Sequence, residues 1–453
     1  MGVHAEHHHV DLEEKFVFTS GFKTKLFISL GIGLAFFVFG LFLLSSGAGE
    51  HETHAVQEAA HEVAAAAGHH EAASEGHGHG FDWMTRVWAT LWVNSVYFCG
   101  VALVGIFFIA YNYVSYAGWS ASILRVPQAF GYFLPLIAVS VVVVAFFGGH
   151  DLFHWMHHGI THKFLEDGVT PNPDYDAIIA GKSGYLNPGF FWGRLIAYFV
   201  LWIGVFFVLR KQSVQEDIEG GVKRHDKSIV WSAVFLLIFG VTSSTAAWDW
   251  VMSIDTHWFS TMFGWYVLSS WHVSGLAAIT LTVILLKDQG YLKVVNDSHL
   301  HDLGKFIFAF SIFWTYIWFA QFLLIFYANI PEETTYFLDR LSRFGGTYKG
   351  LFFVNLFINF VFPFLVLMTR DTKRLPIFLK IVCIAILFGH WLDFYLMVMP
   401  GTTKGHSGFG LLEIGSIVVY ATLFIYAVAT GLSKALLVPK NHPMLEESMH
   451  HDI

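Results

Sequence analysis

Cysteine is almost absent: Cys99 and Cys383 are the only two among 453 residues, and each lies inside an apolar run. They supply neither a disulfide framework nor a cysteine set for an iron–sulfur cluster, and no C-x-x-C-H offers covalent haem attachment. No two spans present the paired histidines that a b-type haem needs. Charge is also scarce, with Asp, Glu, Lys and Arg at 13% against 55% hydrophobic residues. That balance excludes a soluble multidomain protein. Basic residues form no patch and the net charge is −8, so nucleic acid is not a partner.

What the chain does have is long apolar runs, ten of them, centred near residues 36, 99, 139, 200, 238, 273, 316, 359, 388 and 424. Each is roughly 20 residues, enough for a helix to cross a ~30 Å hydrocarbon core. The expected fold is all-α: a polytopic membrane protein of about ten transmembrane helices. Spans two to five and six to nine are expected as two four-helix bundles, with spans one and ten peripheral. Trp248-Asp249 ending span five and His390-Trp391-Leu392-Asp393 on span nine hint at a repeat without establishing one.

The segments read as 1–25 N-terminal and cytoplasmic, 26–46 first span, and 47–86 an outer loop rich in His, Ala and Glu. Then come 87–248 (spans two to five), 249–260 (an outer Asp/His bridge), 261–399 (spans six to nine), 411–437 (span ten) and 438–453 (cytoplasmic tail). The first span exceeds a typical signal-peptide core and is read as a retained anchor. With the N-terminus inside, inner segments hold 18 of the 26 Lys and Arg residues and outer ones 8. By the positive-inside rule both termini are expected in the cytoplasm.

The most informative stretch is AWDWVMSIDTH, residues 247–257, bridging the runs 229–247 and 261–286. It sets Asp249, Asp255 and His257 at the outer surface among tryptophans. Ionisable groups at membrane depth are costly and mark proton, ion or ligand handling. The outer halves carry most of them: His150, Asp151 and His154 after span three, His390 and Asp393 on span nine, Glu413 opening span ten, and His272 at mid-depth. With Asp249, Asp255 and His257 these are the proton-handling candidates. The inner halves offer only hydroxyls.

In a helix, HDLFHWMHHGITH (residues 150–162) would place His150, His154, His158 and His162 on one face. The spacing matches the boxes of di-iron desaturases, but those need several separate boxes on the cytoplasmic side. The histidine-rich loop matches no defined metal site either, so no metal is expected.

WDWVMSIDTHWFSTMFGWY, FAQFLLIFYANIPEET and GHDLFHWMHH closely resemble the second NrfD-like membrane subunit, the ActF type, of bacterial alternative complex III. The similarity runs through residues 85–435. It implies two four-helix bundles in the bacterial inner membrane and a complex that oxidises menaquinol or ubiquinol and reduces a cytochrome c or an attached terminal oxidase. Haem c and iron–sulfur clusters would sit on partners: a multihaem cytochrome c, an iron–sulfur protein and a sister NrfD-like subunit. Trp248, Trp250, Gln321 and Asn355 are the candidates for lying beside a quinone. The rival from another class is a secondary transporter with an outward-facing polar cavity, for which Pro135 and Pro363 are the helix-breaking signals.

Overall fold

The computed structural model describes residues 12–46, 82–165, 167, 169–406 and 408–452. The N-terminal histidines and the histidine-rich stretch 51–79 lie outside the described residues. Among the described residues ten helices are long and apolar enough to cross a membrane. They are α1 (Ser20–Ser45), α2 (Trp83–Val114), α3 (Arg125–Leu152), α4 (Pro188–Glu219), α5 (Lys223–Ile254), α6 (Phe263–Asp288), α7 (Asp297–Tyr327), α8 (Lys349–Val366), α9 (Pro376–Thr402) and α10 (Leu411–Ser433). The described residues contain no named strand. The protein is an all-α, multi-pass membrane protein.

Several helices start where the sequence signals them. Asp82 caps α2, and Asn187 caps α4 just before Pro188. Helix α2 packs on α3 and α5, and α4 closes that first ring against both; α6–α9 form a second ring of four. Because α2 also touches α6, α9 and α10, it has no lipid-facing side, and its apolar residues run all round it. Trp271 of α6 occupies the space beside Gly100, and its Nε1 donates to Val96 O at 3.1 Å. Helix α1 lies along α10 and buries only Leu26, Gly33 and Gly40.

Two spans are broken at prolines. In α3 a 3-10 turn, Gly131–Phe133, precedes Pro135. In α8 a π segment, Phe357–Val361, precedes Pro363, which has no N–H to give the carbonyl of Asn359.

The histidine cluster is not one helix. Helix α3 stops at Leu152, Phe153 is extended, and His154–Met156 form a single 3-10 turn. Phe153 and Trp155 are both buried, against Trp92 and Phe191. Residues two apart share a side only in extended chain, so burying both breaks the helix and disperses the expected histidine face. Asp249 also shifts: α-helical geometry continues through Trp250 before the 3-10 turn Met252–Ile254, so the acid belongs to α5 rather than to the bridge.

Candidate functional site

The second ring converges on Asp393. This carboxylate is fully buried on α9. It accepts hydrogen bonds from Tyr266 Oη of α6 at 2.5 Å, Trp314 Nε1 of α7 at 2.9 Å and Asn355 Nδ2 of α8 at 2.9 Å. All three donors are neutral. Burying an acid costs several kcal/mol unless donors replace its water, and three helices supply them here.

One turn away, His390 Nδ1 meets Ser270 Oγ at 2.9 Å, while Nε2 has no partner. The His390–Asp393 separation of 3.8 Å is too long for a hydrogen bond. Asn359 extends the network, donating to Asn355 Oδ1 at 2.7 Å. Its amide fits because residue 389 is glycine: a Cβ there would overlap it. The π segment thus sits where α8 faces Asp393, a frequent location for such bulges.

A cavity of about one water's size separates Asp393 from Arg340, walled by Tyr266, Trp318, Tyr336 and Phe352. Arg340 comes from the short helix Thr335–Leu341 and is buried. It reaches Asp255 at 3.2 Å, and its guanidinium lies 3.4 Å from the centre of the Tyr336 ring. Asp255 is partly exposed, so a polar line runs from the surface through Asp255, Arg340 and the cavity to Asp393, His390 and Ser270. Asp339, on the same short helix, has its acidity weakened by burial and then by Asp255.

The other sequence candidates fall elsewhere. Asp249 is held by Arg194 in a two-pronged pair, 2.7 and 2.8 Å, with Tyr198 Oη donating at 3.0 Å. Tyr185 and Phe190, set edge to face, each hold a ring centre 4.0 Å from that guanidinium. Glu413 bonds Arg86 at 2.8 Å and the Gly410 N–H at 2.8 Å, closing the start of α10. His257 is half exposed and 2.5 Å from Asp176, which caps the helix Ala177–Lys182. His150 and His157 stack at 4.0 Å, and Asp151 is only partly buried beside them. Exposed His154 meets His157; partial burial, then His157, lower its basicity. His272 is buried among Phe107, Tyr111 and Phe310, and neither ring nitrogen has a partner. None of these ring neighbours is a hydrogen-bond partner of Asp249.

Of the four quinone-side candidates only Asn355 lines the cavity. Trp250 is buried among Trp92, Phe199 and Trp202, Trp248 stands apart from that cluster, and Gln321 accepts from Ser260 at 3.1 Å.

The expectation that the inner halves hold only hydroxyls does not stand. Arg125 pairs with Asp217 at 2.5 Å, and Arg210 donates to Gln128 at 2.8 Å. Glu216 is buried beside them, 3.5 Å from His225. A second cluster, at the same end of the helices, has triad-like spacing: Ser448 Oγ to His299 Nε2 at 3.1 Å, and His299 Nδ1 to Asn296 Oδ1 at 2.7 Å. Ser448 is fully buried and donates to Trp119 O at 2.6 Å, so it fastens the C-terminal tail instead of attacking a substrate. Among the described residues no three His, Cys, Asp or Glu side chains are placed to hold a metal.

No family model matches the chain, and no curated protein matches it.

Proposed function

We propose that this chain is an integral membrane subunit of a bacterial respiratory quinol:cytochrome c (or oxidase) oxidoreductase, in which Asp393 and its shell exchange protons with the outer face. The observation that carries the proposal is a buried carboxylate with three neutral donors, joined through a water-sized cavity to Arg340, which in turn pairs with Asp255. A proton on Asp393 passes to water in the cavity, whose Arg340 wall supplies a fixed charge that stabilises the carboxylate left behind; Asp255, on the far side of Arg340, receives the proton through water when that guanidinium swings aside. Tyr266 reorients its hydroxyl as that charge changes.

The cavity does not fit a quinone head group, and the aromatic candidates do not converge on one place. No step of this proton route therefore involves quinone. Haem c and iron–sulfur clusters belong to partner subunits in this reading.

The test is Asp393→Asn in the complex isolated from native membranes, scoring quinol oxidation and proton release together. Proton release per turnover should fall while assembly persists. An assembled variant with full turnover and full release removes Asp393 from the route. The π break beside Asn355 favours a second reading, a secondary transporter with an outward polar cavity. A solitary chain that binds a solute, with no co-isolated haem protein, would establish that reading instead.

A further inference from the structure

Helices α3 and α4 touch near both ends and part in the middle. Towards the end that carries Arg210 and Lys211 the contact is Tyr132 against Phe206, ring centres 5.4 Å apart; at the opposite end it is Phe146 against Trp192 at 6.3 Å. Between them lies an apolar groove of about 540 Å³, opened by the small residues Ala138 and Gly204 and walled by Val142, Ile196 and Val200. A Cβ at Gly204 would meet nothing within 4 Å.

Two lysines flank one end of this groove. Lys211 is seven residues beyond Gly204 on α4, hence on the same helix face and roughly 10 Å further along. Lys434, just past α10, holds its ammonium 4.7 Å from the centre of the Tyr132 ring. Both are exposed, and among the described residues neither enters a salt bridge.

We propose that the groove holds an acyl chain of an anionic phospholipid whose phosphate is met by Lys211 and Lys434. The wall lies on membrane-spanning segments and carries no hydrogen-bonding side chain, so its occupant must be hydrocarbon. Two lysines without acidic partners at one mouth select a negative headgroup. The two aromatic contacts fix the groove's length and prevent α3 and α4 from closing on each other.

The test is native mass spectrometry of the full chain after detergent exchange, with phosphatidylglycerol or phosphatidylethanolamine added back. The wild-type chain should retain one phosphatidylglycerol, roughly tenfold or more over phosphatidylethanolamine. Lys211→Glu with Lys434→Glu should abolish the headgroup preference, and Gly204→Leu should lower retention of both lipids. Elution volume and melting temperature identify any variant that fails to fold; Lys211→Gln with Lys434→Gln is the milder pair. Equal retention of both lipids by the wild-type chain, retention unchanged in every variant, or a bound isoprenoid instead of a phospholipid overturns the proposal.

Discussion

Arg340 donates to the carbonyl that Pro400 leaves without a helical partner. In an α-helix Leu396 O would accept from the N–H of residue 400, and proline has none. Arg340 Nε takes that place at 2.8 Å, and Nη2 reaches Met397 O at 3.0 Å. The same side chain meets Asp255 and closes the Asp255 side of the Asp393 cavity. A backbone defect in α9 and the entrance to the candidate site thus share one residue.

Arg340→Met should therefore cost about 3–5 kcal/mol, the usual effect of removing one member of a buried ionic network. Arg340→Lys keeps the charge but not the planar fork, so it should recover only part of that loss. Thermal unfolding followed by fluorescence-detected gel filtration measures both. Equal melting temperatures for wild type and Arg340→Met would mean that the carbonyl of Leu396 needs no such partner.

The sequence revealed the helices, because they follow from composition over long windows, but not the sidedness of the polar groups: Arg125, Arg210, Glu216 and Asp217 are buried at the end expected to hold only hydroxyls. It also marked Asp393, His390 and Asn355, since ionic and amide groups stand out in apolar runs. It did not reveal their arrangement. Tyr266 and Trp314 look like ordinary apolar-run aromatics, and nothing local in Arg340 announces a carbonyl 56 residues away. Asp249 stood out for the same reason as Asp393, but its partner Arg194 lies on another helix. That pairing changes its meaning: a carboxylate gripped by a guanidinium and a tyrosine is better suited to holding α4 against α5 than to passing protons.

Asp249→Asn should accordingly lower stability more than turnover. It takes the carboxylate from the partly buried Arg194 guanidinium, which keeps only the Tyr185 carbonyl, a loss of about 1–3 kcal/mol. Adding Arg194→Gln should restore part of it, which a double-mutant cycle on melting temperatures would detect. A single variant with native stability and lost proton release would return Asp249 to the proton route.

Helix α1 depends on glycine. A side chain at Gly40 would run into the backbone at Leu412, and one at Gly415 into the backbone at Phe37. Close approach through small residues is how helices hold together where lipid gives no hydrophobic drive. Ser29 and Thr422 face each other at 2.9 Å, so cysteines at those two positions should crosslink. The crosslink should disappear when Gly40→Leu is added, while the other nine spans remain folded.

Orientation can be read by thiol labelling. Thr256 is buried, so a cysteine there would react poorly on either side of the membrane. His257 and Lys223 are exposed at opposite ends of α5. Cysteine at His257 should react with an impermeant reagent added to intact spheroplasts, and cysteine at Lys223 only after lysis. The reverse pattern would invert the expected topology.

The C-terminal tail should respond to pH through His442. This ring is buried against His225 at 4.8 Å and Tyr113 at 5.7 Å, with Arg125 and Glu216 close by. Burial, then His225 and Arg125, push its pKa down to about 3. The docked tail therefore holds a neutral imidazole, and the released tail takes up a proton below the ordinary histidine value of roughly 6.5. Docking is complete above that value and weakens as pH falls from it towards 3, by at most ~1.4 kcal/mol per unit. A spin label on cysteine at exposed position His450 should gain mobility between pH 7.5 and 5. His442→Phe keeps a ring in place but cannot be protonated, so it should flatten that response. If the mobile fraction rises equally in both proteins, another group controls the tail.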